Sequence, residues 1–175
     1  MHLWEVIDEA HSAFIAGRKT IDNALLGFGC LHVTKKANRK INISIALKLD
    51  MFKAYDRVEW TFLEAIIQKI GFCWKWIDQI LNYISYVASS YLLNGDIDGN
   101  IVPLRGLRQG DFLSPFLFLI CAQGVSSLIN AANKKLITRL KIVESCSISD
   151  LFFADDSLLF ARENLRECRL IRDLL

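Results

Sequence analysis

The sequence has no Cys-x-x-Cys pair, and its five cysteines, Cys30, Cys73, Cys121, Cys146 and Cys168, are odd in number and widely spaced. Neither a disulfide framework nor a zinc site is suggested, and a reducing intracellular compartment, nuclear or cytoplasmic, fits best. An excess of either charge is also missing. Lys and Arg number 21 against 19 Asp and Glu, a formal +2, so the balance alone does not announce a nucleic-acid-binding protein. The start, Met1-His2-Leu3-Trp4-Glu5, has no basic region followed by an apolar core, and no secretory signal is expected. Internal repeats, low-complexity tracts and flexible linkers are absent as well. Only Gln79 to Gly95 and Phe112 to Asn133 are uncharged for long enough to suggest a membrane span. Ser, Asn, Gln and Gly punctuate both, so buried core elements are expected and no membrane partner.

What is present is a chain of 175 residues, 53% hydrophobic, which fits one domain or a fragment of a larger one and can bury a real core. Residues 3 to 10 suggest a partial helix, and Ser12 to Arg18 a short extended piece running into a Gly turn. From Thr20 or Asp22 as N-cap, Ile21, Ala24, Leu25, Phe28 and Leu31 follow a helical period weakened by Gly27 and Gly29. Lys35, Lys36, Arg39 and Lys40 then form a basic loop. Ile43, Ile45, Leu47 and Leu49 alternate with Ser44, Ala46, Lys48 and Asp50, the period of a strand whose end presents a carboxylate on the face away from Leu49. Asp50 serves equally well as a simple strand terminator.

Trp60, Leu63, Ile66, Ile67 and Ile70 predict a helix closed by Gly71, and Trp76, Ile77, Ile80, Leu81, Ile84 and Val87 predict a second. Tyr91 to Val102 reads as a hairpin around Gly-rich turns. Arg105-Gly106-Leu107-Arg108-Gln109-Gly110-Asp111 is a loop whose cations and glycines suit an approach to phosphate, and also suit an ordinary surface loop. Ser114-Pro115 opens a helix with a hydroxyl N-cap and Pro at N1, and Phe116 to Ala132 is apolar enough to cross the core. A strand over Ile137 to Val143 precedes a hairpin in Leu151 to Phe160. There Asp155 and Asp156 interrupt an apolar, aromatic run and sit at the tip. Two adjacent carboxylates repel, a conflict that a divalent cation removes, although Asp is also common in solvated turns. Leu165, Cys168, Ile171 and Leu174 predict a last helix.

Taken in order, Lys48 to Trp60, Arg105 to Asp111 and Phe153 to Phe160 resemble motifs A, B and C of the polymerase palm. The chain is similar to the reverse transcriptases of non-LTR, LINE-type retrotransposons of the plant kind. Ser12 to Arg18 and Asp22-Asn23 resemble the segment upstream of motif A, so the likeness covers nearly the whole chain. It implies an α+β fold, an antiparallel sheet packed on helices in a single domain fragment. About 1–42 would be partial fingers and 43–175 the palm, with the rest of the fingers expected before Met1 and the thumb after Leu175. The implied activity is RNA-directed DNA polymerisation, joining a dNTP to a DNA primer on an RNA template with two Mg²⁺ ions.

By the same resemblance Asp50 and Asp155 bridge the metals, the Met51 carbonyl adds a ligand and Asp156 completes the acidic cluster. Short Asp side chains supply the hard oxygen donors Mg²⁺ prefers, with little freedom to wander. Tyr55 lies under the incoming sugar, where its ring opposes a ribose 2′-hydroxyl, or else only packs in the core. The backbone at Lys53 and Ala54 faces the triphosphate, and Gln109, Gly110 and Arg108 line the nucleotide pocket. Asp56 and Arg57 stay outside the site as an ion pair or helix cap. The family usually has Pro at the position of Phe112, Ser at Phe52, Pro at Ala16 and Glu at Gln123, and the Phe112 ring threatens to shift Gln109. Lacking a thumb to grip the duplex, the chain alone is expected to polymerise weakly or not at all. Two other readings are open: a decayed genomic remnant that at most binds nucleic acid or metal, and a small carboxylate-metal hydrolase. His2, His11 and His32 all lie upstream of the core motifs, which weakens the hydrolase.

Overall fold

The computed structural model describes residues 6–36, 45–133, 140–143, 146–153, 156–161 and 164–174. They form an α+β arrangement that divides into two compact units, Met1–Phe52 with Ala122–Leu175, and Lys53–Cys121. Unit 1 holds helix α1 (Thr20–Lys36), strand β1 (Ile45–Asp50), and, later in the chain, strands β4 (Leu140–Val143), β5 (Cys146–Ile148), β6 (Asp150–Phe153) and β7 (Asp156–Ala161) and helix α5 (Leu165–Leu174). Unit 2 holds a 3₁₀ turn (Tyr55–Arg57), helices α2 (Trp60–Ile70) and α3 (Trp74–Ser85), and strands β2 (Ser89–Leu93) and β3 (Asp96–Ile101). Helix α4 (Ser114–Asn133) begins in unit 2 and ends in unit 1.

The centre of unit 1 is a three-stranded antiparallel sheet of order β1-β7-β6. Strand alternation gives it two apolar faces. Ala46, Phe160, Leu158, Leu151 and Phe153 pack with Cys30 and Val33 of α1 on one face. On the other, Leu47, Leu49, Leu159, Ala161 and Phe152 pack with Ile129 of α4 and Ile171 of α5. A sheet covered on both sides needs strands apolar on both sides, which accounts for the nearly unbroken runs 151–153 and 158–161. The free edge of β6 is met by the N-terminal segment, where the Phe152 N–H donates to the Ala10 carbonyl at 3.0 Å and His11 bridges Phe152 in parallel. Pairing the edge this way removes an open row of backbone donors and acceptors.

Helix α1 forms where periodicity places it, but presents the opposite side to the core. Ile21, Leu25 and Phe28 are exposed, whereas Asn23, Gly27 and Cys30 face inward. The helix is apolar all round, so period alone cannot choose a face; close approach to the sheet does. A Cβ at Gly27 would sit 3.2 Å from Leu158 Cδ1 and 3.6 Å from Phe153 Cζ, so the glycine is the contact point rather than a weakness. Neither Thr20 nor Asp22 is the N-cap, since the Asp22 N–H already donates to Lys19 O and Thr20 is helical. Lys35 and Lys36 belong to the end of α1, while 37–40 of the expected basic loop lie outside the described residues.

Of the expected helix over 3–10, Val6 is helical, Ile7 to Ala10 form a bend and a turn, and 3–5 lie outside the described residues. Ser12 to Arg18 is two turns, not an extended piece. The cause is Arg18, whose guanidinium donates to the carbonyls of Ile7, Asp8 and His11 at 3.1, 2.5 and 2.8 Å and folds the segment onto itself. His11 is 2% exposed, stacks on Phe152 with centroids 4.5 Å apart, and burial pushes its pKa down to about 4.

In unit 2, α2 and α3 form as the spacing predicts, with Leu63, Ile67, Ile77, Ile80 and Ile84 buried. Gly71 ends α2 at φ 97, a left-handed conformation that glycine adopts without steric cost. The expected hairpin is β2–β3, turned by Asn94 (φ 54) and Gly95 (φ 97), both in the positive range that a type I′ turn requires. Helix α4 is long and apolar enough to cross a membrane, and most of that stretch is buried within the fold. Ser114 is not its N-cap. The Leu113 carbonyl accepts from Phe116 and Leu117, which makes Leu113 the cap position, and the Asp111 carboxylate bonds the backbone of Phe112 and Leu113 just ahead of the helix. The strand before the Asp-Asp hairpin is β4, paired with β5, and 137–139 lie outside the described residues. In α5, Leu165 and Cys168 are exposed, while Glu167 and Ile171 are buried.

Two outcomes follow for stability. Gly27→Leu lowers the free energy of unfolding by about 2 kcal/mol through overpacking against Leu158, whereas Gly29→Ala, where no atom lies within 4 Å, raises it by up to about 1 kcal/mol; urea unfolding measures both. His11 is held below its ordinary pKa in the folded chain, so its contribution is complete above pH 6.5 and is lost as pH falls toward 4. Unfolding at pH 7 and at pH 4.5 should differ by a His11 share on the order of 2–3 kcal/mol that disappears in His11→Leu.

Candidate active site

Asp50 and Asp156 lie in unit 1. Antiparallel pairing of β1 with β7 sets Asp50 directly opposite Asp156, so both carboxylates project from the same face, the one that carries Ala46 and Phe160 further along. Like charges placed opposite each other are destabilising unless a counter-charge is present. Lys48, two residues before Asp50 on the same face, supplies one: its Nζ lies 3.0 Å from Asp156 Oδ1. That oxygen is buried and has no hydrogen-bond donor of good geometry, so the ammonium is its charge partner among the described residues. Asp50 is exposed, and the Met51 side chain is 37% exposed. Asp156, expected at the hairpin tip, is instead the first residue of β7, paired with Phe153, and Asp155 lies outside the described residues. The described residues contain no group of three or more His, Cys, Asp and Glu suited to a metal ion. What they contain is a pair of facing carboxylates with a buried, under-satisfied oxygen, a donor set that fits a hard cation such as Mg²⁺.

Beyond Asp50 the chain turns sharply. The Phe52 N–H donates to Asp50 O at 3.2 Å, and Lys53 takes φ 54, a left-handed conformation that is uncommon for a residue with a side chain. In unit 2, Ala54 is buried and leads into the 3₁₀ turn, and the Tyr55 ring stacks on Phe118 with centroids 4.9 Å apart and planes 10° from parallel.

Arg105 to Asp111 is held against this turn. The Gly106 N–H donates to Val58 O, the Leu107 N–H to Tyr55 O, and Trp60 Nε1 to Gly106 O, all at 2.8 Å. The approach is close enough that a Cβ at Gly106 would lie 3.0 Å from Asp56 O, and its φ of 92 is itself one that only glycine adopts readily. Gly110, at φ 85, makes the second bend. Arg108, Gln109 and Gly110 line a cavity of about 790 Å³ with Asp56, Tyr83, Arg105 and Phe112. The Phe112 ring is 92% exposed, so it is not wedged beside Gln109 as its size had suggested. Arg105 is paired with Glu59 at 3.0 Å, both side chains being more than half exposed, and such a surface pair adds little stability.

The far end of the loop is tied by Asp111. Tyr83 donates its phenol O–H to Asp111 Oδ1 at 2.6 Å, and Ser114 donates to Oδ2 at 3.2 Å. The bond from Tyr83, with those from Ser114 and the backbone of Leu113 and Phe112, holds the Asp111 carboxyl below the usual carboxylate range. The same bond raises the Tyr83 phenol above its own.

The structure thus brings Asp50 together with Asp156, and Arg108 together with Gln109 and Gly110. Lys48 is paired with Asp156, and Asp56, Tyr83 and Asp111 line the same cavity as Arg108, Gln109 and Gly110; none of the four stood out in the motifs as a site residue. Lys48 was recoverable, because a period of two puts it on the face of Asp50. Asp56, set aside as an ion-pair or capping residue, forms part of the cavity wall instead. Tyr83 left no signal, since it lies off the buried stripe of α3 and its partner is distant in sequence.

A family model described as Reverse transcriptase (RNA-dependent DNA polymerase) matches residues 1–174. Curated relatives include the Transposon TX1 uncharacterized 149 kDa protein of Xenopus laevis, 27% identical, with 95% of this chain and 13% of that protein covered. The Retrovirus-related Pol polyprotein from type-1 retrotransposable element R2 of Nasonia vitripennis is 30% identical, covering 92% and 15%. An uncharacterized mitochondrial protein of Arabidopsis thaliana is 39% identical over 69 residues, 38% of this chain and 57% of that protein. The chain spans less than two thirds of the length of each of these relatives. With a match that runs through all three motifs and leaves out only Leu175, the chain belongs to the reverse transcriptase (RNA-dependent DNA polymerase) family.

Proposed function

We propose that the chain is the catalytic palm, with part of the fingers, of a non-LTR retrotransposon reverse transcriptase, which adds dNTPs to a DNA primer on an RNA template. Residues about 1–42 are the fingers portion and 43–175 the palm. The observation that carries this reading is the β1–β7 register, which sets Asp50 opposite Asp156, the residue that follows Asp155 in the sequence.

In this reading Asp50, Asp155, Asp156 and the Met51 carbonyl hold two Mg²⁺ ions. The ions would stabilise the attacking 3′-oxygen and the departing pyrophosphate of an in-line displacement. Asp50 and Asp156 supply oxygen donors from adjacent strands, so their spacing is set by sheet hydrogen bonds rather than by flexible loops. Lys48 keeps the Asp156 carboxylate charge-compensated, and so ready as a ligand. Gln109, Gly110, Arg108 and the backbone at Lys53 and Ala54 receive the nucleotide. Tyr55, held flat against Phe118, forms the floor under the sugar and selects against a 2′-hydroxyl. The chain would then discriminate by steric fit, with a ring that cannot easily swing aside.

Primer extension tests the assignment. With dNTPs, Mg²⁺, an RNA template and a DNA primer, a version supplied with fingers and thumb segments should extend the primer, and Asp50→Asn or Asp155→Asn should slow it by roughly 10³-fold, the loss of several kcal/mol of charge stabilisation. An inert parent, indistinguishable from both Asn variants, would leave the decayed remnant as the better account. In the same assay Tyr55→Ala should raise ribonucleotide use relative to dNTP by about tenfold or more while primer extension persists; unchanged sugar selectivity would remove Tyr55 from the site.

A further inference from the structure

The Arg105–Asp111 loop is fastened at two places. Its first half is bonded to the Tyr55–Trp60 segment through Gly106 and Leu107. Its second half turns on itself, with the Asp111 N–H reaching Arg108 O at 3.4 Å, and is fastened through the Asp111 side chain. Three of the groups bonded to that carboxylate, Ser114 and the backbone of Phe112 and Leu113, come from the residues that immediately follow it. They lie at or just before the start of α4 and would travel with the loop if it moved. The Tyr83 hydroxyl is different, because α3 is a separate element with a buried stripe of its own, Ile77, Ile80 and Ile84. Gln109 and Gly110 lie between the two attachments, and Gly110 at φ 85 is the point at which the chain bends most easily.

We propose that Tyr83, acting through Asp111, is a positioning residue that holds Gln109 and Gly110 in the nucleotide-receiving conformation. The inference rests on the polymerase reading for the ligand but not for the attachment itself. A charged acceptor with a phenol donor at 2.6 Å makes a short, directional bond. It is exposed, so it contributes to the alignment of one loop more than to the stability of the chain. Removing only the hydroxyl, with Tyr83→Phe, leaves the ring and the α3 stripe in place.

The test uses this chain with Mg²⁺·dATP as probe. Amide hydrogen exchange is followed over 107–113, dATP binding by titration calorimetry, and global stability by urea unfolding. Tyr83→Phe should speed exchange at Gly110 to Leu113 by about threefold to tenfold and weaken dATP binding by a similar factor, with the urea midpoint unmoved. In an Asp111→Ala background the same substitution should add nothing further. Unchanged exchange, a faster exchange with unchanged dATP binding, or fully additive effects in the double variant would each overturn the proposal. If the parent chain binds no dATP although Tyr83→Phe still loosens the loop, the attachment is upheld and the nucleotide reading of this loop is what fails.

Discussion

The hydrogen-bonded pairing of Ile45–Asp50 with Asp156–Ala161 fixes where the acidic residues can be. A strand has a period of two, so a slip of one residue would turn Lys48 and Asp50 into the apolar layer and Leu47 and Leu49 out of it. Both faces of the sheet are covered, and a slip would therefore bury charges and expose Leu at the same time. The apolar packing of Leu47, Leu49, Leu159 and Phe152 thus enforces the register, and the register brings Asp50 and Asp156 face to face. A pairing of carboxylates that is electrostatically unfavourable is imposed by packing that is strongly favourable.

That imposed repulsion explains the local chemistry. Lys48 lies within ion-pair distance of Asp156, and the buried Oδ1 it approaches lacks a well-formed hydrogen bond. In unit 2, the loop that carries Arg108, Gln109 and Gly110 depends on backbone bonds to the Tyr55–Trp60 segment and on two glycines at positive φ. Gly106 permits the close approach to Asp56, and Gly110 provides the bend that Asp111 and Tyr83 secure.

Much of this was legible in the residues. The alternation from Ile45 to Asp50 announces β1, the stripes of α2 and α3 are clear, and the apolar runs around Asp155 and Asp156 announce a hairpin because each run is too short for a helix. The spacing of the three motifs carried the family. Alternation also states that Asp50 and Lys48 share a face, which is a local property of any strand. These features depend only on neighbours in the chain, and local stereochemistry is sufficient to set them.

Tertiary structure decided the rest, wherever the outcome depended on a partner far along the chain. No periodicity could choose the inner side of α1, because apolar residues surround it; the small Gly27 side fits closest to Leu158 and Phe153, and that places Ile21, Leu25 and Phe28 outside. The turns at Ser12 to Arg18 follow from a guanidinium that gathers carbonyls from several neighbours. The pairing of Tyr83 with Asp111 joins a helix to a loop across a hairpin. Sequence by itself thus determined the strand β1, the helices α2 and α3, the β2–β3 hairpin, the motif order and the family, since these are written in short-range pattern. Which residues meet, above all Asp50 with Asp156 and Tyr83 with Asp111, was settled by long-range packing, because burial rewards the fit of whole surfaces rather than the identity of any single residue.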